Sequence, residues 1–278
     1  MVDGYERGNA MKGSGIVRRF NKALAKLWPP ILAVCLLIAG WHISIGLFGL
    51  NPFIIPAPLD VVQAIVDNGE LILDNTKTTL AEAGLGMFVG TLLAILASVA
   101  FLYSKRLEEV SYPILLGVQA VPLIAIAPIL TLWLGFGIAP KVVLAAFLTY
   151  PLTLVSLMEG FDSCPRNVLE LLYTLKATKR QEIFAALVPS AIPMFMTSLK
   201  LGAAVAIVGA IATEYVGSLS GLGFLLQHTQ AQLQVPLMWG VCLIAVVIGS
   251  TLYAVFAALE RLIPAETTTH AVSSTAAA

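Results

Sequence analysis

PRNVLELLYTLKATKRQEIFAALVPSAIP, residues 165–193, is a charged, helix-coding stretch set between runs of almost pure hydrocarbon. Arg166, Glu170, Lys176, Lys179, Arg180 and Glu182 lie within it. A chain that places such charges between two bilayer-crossing segments presents a structured loop to water and to whatever docks there. Pro165 suits a first helical position, and Val168, Leu172 and Leu175 then recur at i, i+4, i+7 as one apolar stripe. Thr178 followed by Gln181 has the form of a capping box, so a second helix starts there and runs to about Val188, before a break at Pro189. A two-helix loop cannot bury an apolar stripe by itself. It either lies on its own bundle or docks in a partner's groove, and the second reading is preferred.

The flanking sequence is that of a polytopic membrane protein. Of 278 residues, 58% are hydrophobic and 12% charged, about half the charge fraction of a soluble domain. The apolar blocks are long enough to cross a bilayer, which takes roughly 20 residues. Six spans are expected, near 29–50, 79–103, 109–134, 140–160, 190–216 and 236–262. Residues 1–28 read as a cytoplasmic tail with an interfacial amphipathic helix built on Arg18, Arg19, Lys22 and Lys26. Residues 29–262 form the membrane domain, with the charged loop at 161–189, and 263–278 read as a disordered carboxyl-terminal tail.

Thirteen of the sixteen Lys and Arg residues fall in the amino tail, the 104–108 turn, the 161–188 loop and the carboxyl end. Of the others, Lys77 and Lys141 fall on the opposite side and Lys200 lies within the fifth span. The positive-inside rule therefore puts both termini and the charged loop in the cytoplasm. The net charge of zero gives no reason to expect a nucleic-acid partner. Cys35, Cys164 and Cys242 are far apart, without metal-ligand spacing, and read as buried small hydrophobes.

With Glu170 followed at the right distance by Val188–Pro189, and Lys176-Ala177-Thr178 in between, the 165–193 segment resembles the coupling loop of ABC-importer permeases, the subunits of binding-protein-dependent transport with a MetI-like fold. IIPAPLDVVQAI (54–65), APILTLWLGFGIAPK (127–141) and ATEYVGSLSGLGFLL (212–226) agree with the nitrate/sulfonate/taurine-type branch of that family. The resemblance covers about 50–265. It implies an all-α bundle of six transmembrane helices in the bacterial inner membrane, working as a homodimer with ATP-binding subunits below and an external solute-binding protein above. It further implies that Arg166, Val168, Glu170, Leu172, Leu175, Lys176, Ala177 and Thr178 form the surface that couples to the ATPase. The chain departs from the family at Leu171–Leu172, where two alanines are usual, and at Lys176, where glycine is usual. A left-handed lysine there costs about 1–2 kcal/mol, unless the turn has another shape.

No segment fits the phosphate-cradling G-x-x-x-x-G-K-[ST] loop, so ATP and Mg belong to the partner ATPase and no cofactor is expected on this chain. No nucleophile elbow, paired-carboxylate site or HExxH is present, and the chain reads as a transport subunit rather than an enzyme. The rival is a secondary transporter driven by an ion gradient, but no internal repeat relates 29–134 to 140–262. Gln119, Thr131, Thr149, Tyr150, Lys200 and Glu214 are the candidates for the translocation pathway or its gate. Of these, Lys200 can instead snorkel to the headgroups, the uncharged four can serve ordinary interhelical hydrogen bonding, and Glu214 suits a structural or gating role at the outer mouth. Gly86, Gly90 and Ala94 form a small-residue ridge for close packing. The substrate class spans small oxyanions of the sulfonate, taurine or nitrate kind and uncharged heterocycles of the pyrimidine or vitamin kind, with a lean toward a small organic molecule.

Overall fold

A computed structural model describes residues 28, 29, 32–49, 51, 54–118 and 121–262. The expected amphipathic helix before Trp28, the tail at 263–278 and Gln119 lie outside the described residues. Two compact units divide between Ala64 and Ile65. The first contains an apolar helix α1, Leu32–Phe48, and the start of α2, Pro58–Asp67, where Pro58 opens the helix and Asp60 sits in its first turn.

The described residues of the second unit form the helices α3 (Gly69–Tyr103), α4 (Lys105–Val118), α5 (Leu123–Leu134), α6 (Ala139–Asp162), α7 (Arg166–Thr174), α8 (Lys179–Glu182), α9 (Val188–Gly217), α10 (Leu222–Ala231) and α11 (Val235–Glu260). Among the described residues, four helical stretches are long and apolar enough to cross a membrane: α3, α6, the run Lys179–Gly217 and α11.

The core is made by α3, α6 and α9, and small residues let them approach. One face of α3 carries Asn75, Thr79, Glu82, Gly86, Gly90, Ala94 and Phe101, all buried. That spacing of three, four or seven residues is a single helical stripe. It is polar at its start, small in the middle and apolar at its end. A Cβ on Gly86 would lie 2.4 Å from Ala145 Cβ, and one on Gly90 would lie 2.1 Å from Thr149 Oγ1 and 2.6 Å from the Ala146 carbonyl. The expected ridge is thus the α3–α6 interface. Gly160 meets Ala191 in the same way, with 2.7 Å between the added Cβ and Ala191 Cα. Contact without a hydrophobic driving force depends on such close approach, because lipid tails compete for every apolar surface.

Within the span expected at 109–134, Pro128 lies inside α5, while Pro122 adopts extended backbone (φ −67°, ψ 121°) and separates α4 from α5. The missing N–H and the proline ring are incompatible with a continuous turn there. Conversely, Pro189 ends nothing. Residues 183–187 form a π-helical turn, with the Val188 N–H reaching back to the Ile183 carbonyl, and the helix runs on into α9. The widened turn accommodates Pro189, which could not donate to an ordinary α-helical ladder. The cysteines also divide: Cys164 is buried as expected, whereas Cys35 on α1 and Cys242 on α11 are exposed.

Candidate functional site

The segment between α6 and α9 folds from local signals. Pro165 stands just before α7 with φ −60° and ψ 131°. After the helix, Lys176 adopts φ 54°. Its N–H donates to the Tyr173 carbonyl (3.0 Å), and the Ala177 N–H donates to that of Leu172 (2.9 Å). This pair of bonds is a Schellman turn, which needs a left-handed residue at the position Lys176 fills. The lysine therefore takes the left-handed conformation usual for glycine, at its energetic cost. The capping box then forms as expected. Thr178 Oγ1 accepts from the Gln181 N–H (3.4 Å), and Gln181 Oε1 accepts from the Thr178 N–H (2.8 Å).

The apolar residues of this segment divide between two surfaces. Val168 and Leu172, with Leu169, pack against the chain's own core around Phe161, Cys164, Ile183 and Leu187. Leu171, Tyr173 and Leu175 are exposed, Tyr173 by 87%. Glu170, Leu172, Tyr173, Thr174, Ala177 and Glu182 wall a cleft of about 520 Å³. Arg166 and Lys176 are exposed as well. Leu171 and Tyr173 thus join the exposed face, with Glu182 partly exposed beside them, although the stripe pattern did not single them out. A leucine and an aromatic off the stripe, at 171 and 173, are the available signal.

Glu214, Glu82, Lys141 and Lys200 each make a side-chain bond that joins two helices. Glu214 is fully buried. Its carboxylate accepts from the Thr79 hydroxyl (2.7 Å) and from the Gly223 N–H (2.7 Å). Thr79 Oγ1 also accepts from the Leu222 N–H (2.8 Å), and Asn75 Oδ1 accepts from the Gly221 N–H (2.7 Å). α10 opens at Gly221, which has no side chain to cap it, so α3 and α9 supply the cap. Gly221 must be glycine on two counts: its φ is 104°, and a Cβ would lie 2.2 Å from Glu214 Cδ.

Deeper along the same stripe, Glu82 accepts from Lys141 on α6 at 2.6 Å, with both side chains about 5% exposed. Lys200 on α9 pairs with Glu260 at the end of α11 at 2.7 Å. Thr149 lies fully buried against Gly90 and donates to the Ala145 carbonyl (3.0 Å). Thr131 is buried and donates to Ala127 (2.9 Å). Tyr150 is half-buried and lines a cavity with Phe101, Phe147 and Ser111.

Residues 86–267 match the family described as "Binding-protein-dependent transport system inner membrane component". The chain belongs to that family. It is 34% identical over 236 residues to the formylaminopyrimidine transport permease protein ThiX of Halalkalibacterium halodurans, covering 84% of this chain and 94% of that one. It is 30% identical over 243 residues to the riboflavin transport system permease protein RibX of Chloroflexus aurantiacus, covering 85% and 90%. Its fold is similar to that of an inward-facing MetNI methionine ABC transporter, with a TM-score of 0.62 at 17% identity over 71% of this chain and 98% of that one. The chain is therefore a permease subunit of an ABC importer, and the ion-gradient alternative is set aside.

Proposed function

We propose that this permease works as a homodimer in the inner membrane, with both termini and the α7–α8 segment in the cytoplasm, and that α7–α8 couples it to separate ATPase subunits. The α1 helix and the α4–α5 pair would complete six spans with the four long helices. An external binding protein would deliver the substrate, and ATP and Mg would bind the partner ATPase. The pathway would switch between inward- and outward-facing forms because the ATPase engages the two states differently. Gln119, Thr131, Thr149, Tyr150, Lys200 and Glu214 remain the residues assigned to the pathway or its gate, with Lys200 and Glu214 acting through their helix-joining bonds. The substrate is a small organic molecule or oxyanion. The formylaminopyrimidine and riboflavin relatives support the uncharged class.

The observation that carries the coupling role is the split of apolar residues on α7. Val168 and Leu172 anchor the segment to its own bundle, while Leu171, Tyr173 and Leu175 are left exposed, Tyr173 at the wall of a cleft. A rigid, anchored element with an unsatisfied apolar edge suits a groove on another protein. Charge reversal at Glu170 or Arg166 is expected to uncouple ATP hydrolysis from uptake in proteoliposomes. Full coupling in either variant would remove α7–α8 from the mechanism.

A further inference from the structure

The bundle's internal charges bear on which substrate class it can carry. Among the described residues, the lysines carried by α3, α6 and α9 are Lys77, Lys141 and Lys200, and each holds a carboxylate: Asp74 at 2.8 Å, Glu82 at 2.6 Å and Glu260 at 2.7 Å. A helix amino terminus is the other common seat for an anion. That of α10 is filled by Asn75, Thr79 and the carboxylate of Glu214. A small oxyanion crossing this bundle would shed water beside neutralised lysines and an additional buried carboxylate. Nothing in that set offers it a counter-charge, and an uncompensated charge in a low-dielectric interior is costly.

A second feature is independent of the first. Between α3, α4 and α6 lies a cavity of about 280 Å³ walled by Phe101, Ser111, Leu115, Phe147, Tyr150 and Leu154. Three aromatic rings and two hydroxyl-bearing residues line it, and none of its walls is charged. Such walls suit a flat ring, which gains from stacking or edge contacts with the aromatic faces, while hydroxyls orient its polar substituents.

We propose that the molecule carried by this permease is uncharged and planar, a small ring compound with hydrogen-bonding substituents rather than an oxyanion, and that the cavity between α3, α4 and α6 receives it. This rests on the permease reading above and narrows its substrate class.

The test uses the full transporter, with its ATPase and binding protein, in proteoliposomes. Cys35, Cys164 and Cys242 are replaced by alanine and a reporter thiol is introduced by Ser111→Cys, with Ile114→Cys at the exposed rim of the cavity as a second reporter if the first misfolds. Labelling by N-ethylmaleimide is followed with an aminopyrimidine, a lumazine, ethanesulfonate or nitrate present. At least one of the ring compounds is expected to slow labelling several-fold, and neither anion should. Protection by an anion overturns the charge class. No protection by any probe, or protection that varies only with added lipid, overturns the cavity as the site. ATP hydrolysis stimulated by the binding protein is measured in the same vesicles. Its absence in the unmodified transporter sinks the permease reading, whereas intact stimulation without ring-compound protection sinks only this narrower one.

Discussion

The polar groups on the α3 stripe and those on α7–α8 are arranged by opposite rules. In the first region Glu82, Lys141 and Glu214 are buried and bonded across helices, with partners 59 and 135 residues apart in the chain. In the second, Lys179 pairs with Glu182 three residues away, both partly exposed, and Thr178 bonds Gln181 three residues away. A buried charge must be paired by tertiary structure, or it costs several kcal/mol. An exposed one stays hydrated and remains available to a partner. The first region holds the bundle together, and the second leaves its charges and apolar side chains available.

Substitutions can break that contrast. The largest effect is expected for Lys141→Met, which strands the Glu82 carboxylate and should cost about 3–5 kcal/mol in denaturant unfolding of the detergent-solubilised protein. Replacing both partners, Lys141→Met with Glu82→Leu, should recover most of the loss. A single variant as stable as the parent would show that the pair is solvated after all. Next comes Gly90→Ala, whose added Cβ meets Thr149 Oγ1 and the Ala146 carbonyl inside van der Waals distance. A cost of about 1–3 kcal/mol is expected from overpacking the α3–α6 contact, read by the same unfolding assay.

The α7–α8 region should respond less in stability and more in function. Thr178→Ala removes the cap of the second helix and should cost roughly 1 kcal/mol, seen as faster proteolysis or amide exchange between 178 and 188. Lys176→Gly should stabilise the segment by up to about 1–2 kcal/mol, because glycine adopts the left-handed turn without a Cβ penalty. If exchange is unchanged in that variant, the φ of 54° carries no strain. Tyr173→Ala should move global stability by no more than about 0.5 kcal/mol. It should nevertheless lower ATPase co-purification several-fold. Unchanged co-purification would place the partner's contact elsewhere on the chain.

Features that depend on neighbours a few residues apart were legible in the sequence. The capping box at Thr178, the two-helix organisation of the charged loop and the small ridge at Gly86 and Gly90 follow from spacing alone. The left-handed turn at Lys176 could be expected only from the family's glycine, since a lysine does not itself announce it. The uninterrupted helix through Pro189 was hidden because proline normally stops a ladder. The π turn before it, which removes the conflict, has no simple sequence signature. The capping of α10 was equally hidden, because Gly221 carries no cap and its substitutes come from two other helices.

Hydropathy, charge asymmetry and short-range periodicity thus determined a helical membrane protein with a structured charged loop, because the bilayer fixes helix length and hydrogen-bonding pattern before any tertiary contact forms. Tertiary structure alone decided which charges neutralise one another, which face of α7 is consumed by the bundle and where an uncharged, aromatic-walled cavity opens. Those outcomes depend on helices far apart in the chain meeting within hydrogen-bonding distance, and a linear pattern of residues does not specify which of them will meet.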